Sequence, residues 1–150
     1  MKYLITILLL TQSLFADEIT AKVVKVYDGD TVTLSTGDRI RLLDIDTPEI
    51  AQPNGKASRD HLRALIFNQV VTVKWSKRDR YKRILGTILH DNQNINMMMI
   101  HDGWAWWYHK YSNSKEAEKL QQQAKDSKRG IWKGNPVAPW EYRKRKREIK

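Results

Sequence analysis

The stretch that decides the fold is "ITAKVVKVYDGDTVTLSTGDRIRLLDID", residues 19–46. Val24 and Val26, then Val32 and Leu34, recur at a period of two, the spacing that places side chains on one face of a strand. "DGD" (28–30) and "STGD" (35–38) are turn sequences, and Gly29 reads as a position that tolerates positive φ. The segment is a three-stranded meander. Pro48 fixes φ and lacks an N–H, so it ends the third strand.

Downstream, "PNG" (53–55) is another turn. Leu62, Leu65 and Ile66 lie at helical spacing within an amphipathic helix over 56–67. "VVTVKWS" (70–76) and "ILGTILH" (84–90) are strands joined by the polar "RDRYKR" (78–83). A short helix over 97–102 stops at Gly103. A last helix begins with Asn113 and Glu116 as a capping box and carries Ala117, Leu120 and Ala124 as its apolar stripe. Its end is marked by Lys125, Lys128, Arg129 and Gly130, and Ile131 and Trp132 pack back as anchors. From Gly134 the chain reads as an extended tail. Five strands with about three helices predict an α+β, mainly β fold: a five-stranded Greek-key barrel of the OB type.

Upstream, Lys2 precedes an apolar run, Tyr3 to Leu10, and "TQSLFA" leads to Asp17. That pattern predicts a signal peptide over 1–16, with the mature domain at 17–133 and a basic tail at 134–150. Export to the periplasm or medium follows, with no stable membrane insertion after cleavage. The apolar run is short for a bilayer span. The chain has no cysteine, which excludes disulfides, thiolate metal sites and a thiol nucleophile. Net charge is +10, much of it in "RKRKREIK" (143–150), so polyanions are the expected partners. The tail alone fits a solvated segment equally well.

Acids crowd the end of the third strand. "RLLDIDTPE" (41–49) holds Asp44, Asp46 and Glu49, and "DGDT" (28–31) holds Asp28 and Asp30. Asp30, Asp46 and a carbonyl near Thr47 form a hard, oxygen-only donor set suited to Ca²⁺ or Mg²⁺. Turn chemistry accounts for Asp28 and Asp30 as well. Arg41 and Arg83 carry forked donors that match phosphate oxygens, and Glu49 is placed to manage a water. Salt bridging of Arg41 to Asp44 or Glu49 remains open from the residues alone. Strict alternation sets Arg41 and Asp46 on opposite faces, so their convergence requires a twist, a bulge or a strand end between them. His61, His90, His101 and His109 show no metal-ligand spacing and read as structural. Trp104 and Trp107 are core anchors, whereas Tyr81, between Arg80 and Lys82, is a base-stacking ring.

Taken in order, "VYDGDTVTL", "RLLDIDTPE" and "RDRYKRILGTI" resemble the three motifs of the thermonuclease, or staphylococcal nuclease-like, family. "IHDGWAWW", "AKDSKRGIWKG" and "PWEYRKR" resemble its C-terminal region and a tail seen in secreted bacterial members. The resemblance implies Ca²⁺-dependent hydrolysis of DNA and RNA by a monomer that needs no protein partner. By position it implies Asp30, Asp46 and Thr47 as calcium ligands. Arg41 and Arg83 are then phosphate clamps, Glu49 the residue that orients water, and Tyr81, Lys82 and Tyr111 substrate contacts. Lys82 stands where the third motif usually has glycine, and Asp44 where many members have a small or apolar residue. His109 stands where some members have tyrosine. The stretch after Glu49 is short, which predicts an open rim. The rival reading is a non-catalytic OB-fold nucleic-acid-binding protein.

Overall fold

The computed structural model describes residues 17–149; the expected signal segment, 1–16, lies outside the described residues. β1 (Asp17–Val26), β2 (Thr31–Leu34) and β3 (Arg39–Leu42) form the expected antiparallel meander. On its other edge β1 pairs with the strand Val70–Arg78, which in turn pairs with Ile84–His90. With the two-residue strand β4 (Ile45–Asp46) counted, these are β5 and β6. β6 returns beside β3 in parallel, Ile40 opposite Ile84, and closes a five-stranded barrel. A short β7 (Gln93–Asn94) extends β6, and β4 pairs with β8 (Trp106–Trp107) outside the barrel.

Val23, Val32, Leu34, Ile40, Val73, Ile84 and Ile88 fill the barrel and are fully buried. α1 (Gly55–Ile66) adds Leu62 and Ile66, and α2 (Ile95–His101) adds Met99 and Ile100. Each such side chain contributes roughly 1.5–3 kcal/mol through removal from water. α3 (Lys115–Asp126) lays Ala117 and Ala124 against the core. Trp104 and Trp107 pack on its margin, as their sequence context suggests.

Several local readings need correction. A register shift between Val23 and Lys25 reverses the parity of β1, so Val23 and Val26 are buried while Val24 is 45% exposed. Gly29 is absent from the residues with positive φ. Its constraint is space, since a Cβ there would collide with Ser58 Oγ and approach Thr47 to 2.9 Å. The third strand ends at Leu42, not Pro48, because Asp44 adopts φ 66° and turns the chain into β4. The α3 cap is Ser114, whose Oγ accepts the Ala117 N–H at 3.1 Å, not Asn113.

The segment read as an extended tail is largely a fourth helix, α4 (Pro139–Glu148). Pro139 sits in its first turn, where the missing N–H is harmless and φ is preset. Glu141 in the first turn and Arg145, Lys146 and Arg147 in the last complement the helix dipole. Ala138 and Pro139 are buried, and Trp140 stacks on Tyr108, so packing decides what a run of like charge conceals.

Candidate active site

The turn at Asp44 resolves the problem of alternation. It rotates the chain between Arg41 on β3 and Asp46 on β4, so their side chains meet with Nη2 3.3 Å from Oδ1. Arg41 Nε lies 3.1 Å from Asp30 Oδ1. The same guanidinium donates to the Leu42 and Ile45 carbonyls, which fixes its orientation. Arg41 therefore bridges Asp30 and Asp46, rather than pairing with Asp44 or Glu49.

Asp30 is held from several directions. Its Oδ2 accepts the Thr47 N–H at 3.0 Å and the Thr47 hydroxyl at 2.9 Å, and its Oδ1 accepts the Thr31 hydroxyl at 3.1 Å. The tight approach at Gly29 permits this contact between the 28–31 turn and Thr47. Asp28 accepts the Asp30 N–H at 3.0 Å, and burial beside the Asp30 charge pushes its carboxyl up to about 7.

Asp46 is 2% exposed and Asp30 5%. Two buried carboxylates this close require cations near them. Besides Arg41, Asp46 receives a residue that sequence reasoning missed. Arg143 of α4 donates through Nη2 to Asp46 Oδ2 at 2.7 Å and through Nη1 to Glu49 Oε1 at 2.8 Å. Burial opposes charge on Arg143, but these carboxylates outweigh it and hold the guanidinium pKa above its ordinary value. The available signal was Ala138-Pro139 followed by Glu141, a helix start hidden behind the basic run.

The structure thus brings Asp30, Arg41, Asp46, Thr47 and Glu49 together. Arg83, Lys82 and Tyr81 lie on the loop between β5 and β6. The Arg83 Nε–H donates to Asp79 Oδ2 at 2.8 Å, and the Arg83 N–H donates to Asp79 Oδ1 at 3.0 Å. Burial opposes ionisation of Asp79, but these bonds outweigh it and hold its carboxyl below the ordinary range. Lys82 keeps a left-handed conformation, φ 63°, at the position where glycine is the more usual residue. Tyr81 is 62% exposed between the Arg80 and Arg83 guanidiniums.

A cleft of about 880 Å³ opens beside Glu49. Asp28, Arg80, Tyr108 and Tyr111 line it on the barrel side, and Arg143 and Arg147 on the α4 side. Tyr111 is 80% exposed, 4.8 Å from Tyr108 between ring centroids. His109 lies edge-on to Trp140 and Trp107 and serves as packing.

Asp30, Asp46 and the Thr47 carbonyl are oxygen-only donors of the kind that would hold a hard divalent cation, and in this structure the two carboxylates instead accept from Arg41, Arg143, Thr31 and Thr47. Among the described residues, no three His, Cys, Asp or Glu side chains converge on one point.

The chain is similar to known proteins over most of its length. The family model described as "Staphylococcal nuclease homologue" matches residues 39–134. An "Uncharacterized endonuclease" of Escherichia coli is 41% identical over 134 residues, covering 86% of this chain and 88% of the relative. One of the same description from Haemophilus influenzae is 34% identical over 97% of this chain and 87% of its own. The "Micrococcal nuclease" of Shigella flexneri is 34% identical over 82% of this chain and 79% of its own. With its motifs in order, its barrel closed and its arginine set between paired carboxylates, the chain belongs to the staphylococcal nuclease family and is a hydrolase of phosphodiester bonds.

Proposed function

We propose that this protein is an exported, Ca²⁺-dependent nuclease that cuts DNA and RNA with little sequence preference. The observation that carries this reading is the Arg41 guanidinium set between the buried Asp30 and Asp46, with Glu49 at the edge of the adjoining cleft. A pure binding module has no need of two buried acids at that point, since basic charge and stacking rings suffice for single-strand affinity.

Asp30, Asp46 and the Thr47 carbonyl would hold the cation, which would supply Lewis-acid charge at the phosphodiester. Arg41 presents its remaining donor surface to the phosphate, where charge grows as phosphorus becomes five-coordinate. Arg83 exchanges its Asp79 partner for a phosphate oxygen as substrate enters. Glu49 orients the attacking water and draws on its proton. Tyr81 and Tyr111, both strongly exposed, stack on bases, and Lys82 meets the backbone beside them. None of these groups reads a base edge, which accounts for broad specificity.

The N-terminal pattern supports export, and among the described residues no helix is long and apolar enough to cross a membrane. The test is digestion of matched DNA and RNA oligonucleotides with calcium and with chelator. Cleavage of both, abolished by chelator, is expected; equal rates in chelator contradict the calcium role.

A further inference from the structure

The fourth helix reaches the candidate site from the far end of the chain. Its Arg143 lies 94 residues from Glu49 in sequence and donates to it at 2.8 Å. The same fork contacts both oxygens of Asp46, at 2.7 and 3.2 Å.

The connection is reinforced on two sides. Gln52, 5% exposed, accepts the Glu49 N–H through Oε1 and donates through Nε2 to the Val137 carbonyl at 2.6 Å. That carbonyl lies just ahead of α4. Tyr142 of α4 donates to the Ala51 carbonyl at 3.4 Å. The Trp140 ring lies parallel to Tyr108 at 5.8 Å and edge-on to Trp106 at 5.5 Å. Backbone, side chains and rings therefore dock the helix on the turn that carries Glu49.

We propose that Arg143 is a positioning residue for phosphodiester hydrolysis, which fixes the Glu49 carboxylate in place by tying it to Asp46. Glu49 is partly exposed and would otherwise sample several rotamers around a short turn. A planar fork that spans two carboxylates removes that freedom, and an ammonium group reproduces only part of its geometry. The second oxygen of Glu49 is left for water. The basic segment is then a working wall of the site rather than a surface anchor.

This inference rests on the nuclease reading of the same site. Its test is steady-state cleavage of a labelled single-stranded oligonucleotide by full-length wild type, Arg143→Gln and Arg143→Lys, at saturating and at limiting calcium. Near-ultraviolet circular dichroism checks that α4 stays docked. The expected result is a kcat about 10- to 100-fold lower for Arg143→Gln, with KM changed less than about threefold, and partial recovery in Arg143→Lys. A Gln variant that cuts as fast as wild type, or faster at limiting calcium, overturns the proposal. So does a loss confined to KM, which would make Arg143 a substrate contact. A wild type that does not cut at all refutes the nuclease reading itself, and is thereby distinguished from failure of the positioning role alone.

Discussion

At the scale of single residues, backbone conformation explains positions that composition alone makes puzzling. Asp44 is, from the sequence, an acid without a role in a stretch already crowded with carboxylates. The structure gives it the left-handed turn between β3 and β4, with its carbonyl accepting the Tyr108 N–H at 2.8 Å. Asp44→Gly should therefore leave calcium affinity unchanged and alter stability by less than about 1 kcal/mol, as read by calorimetric titration and urea unfolding. Lys82 is also left-handed, with no need of its side chain for that conformation, so Lys82→Gly should stabilise the fold by roughly 0.5–1 kcal/mol in the same unfolding assay. Gly29→Ala should do the reverse. A Cβ forced against Ser58 and Thr47 should cost about 1–3 kcal/mol and displace Thr47 from Asp30, lowering both the melting temperature and the cleavage rate.

At the scale of elements, what was legible depended on whether local pattern and tertiary packing agree. The meander, β5, β6 and α1 follow from period and turn residues, because each buries one face in a common core. The shift in β1 was not legible: one residue out of register exchanges Val24 for Val23, and only the pairing with β2 reveals it. Asp30, Arg41, Asp46, Thr47 and Glu49 could be grouped from motif order, whereas their contacts depend on a turn of two residues. For Arg143 the helix start could be read from Ala138-Pro139 and Glu141, but its docking could not. A helix rich in like charge carries little apolar periodicity, and its docking rests on Trp140, Pro139 and ion pairs made far away in sequence. A chain ending at residue 138 should retain the barrel, since α4 contributes none of the barrel's interior residues. Its circular dichroism should still report the strands, while its kcat falls at least as far as that of Arg143→Gln.

At the scale of the whole molecule, the charge of +10 and the cleft between barrel and α4 suit a polyanion held mainly through its phosphates. Binding of a single-stranded oligonucleotide in chelator, read by fluorescence anisotropy, should weaken steeply with added salt, and neutralising Lys146 and Arg147 together should reduce the log–log slope by roughly 1–1.5. The barrel's closure by β3 and β6 brings the strand that bears Arg41 beside the strand that follows Arg83, and the β4–β8 pair fixes Asp46 at the same end. Everything in the proposed chemistry then turns on one guanidinium between two acids. The most direct measurement is the cleavage rate of Arg41→Lys at saturating calcium, with folding verified. Loss of the fork with retention of charge should lower kcat by about 10²-fold or more, whereas a rate within about threefold of wild type would contradict the account.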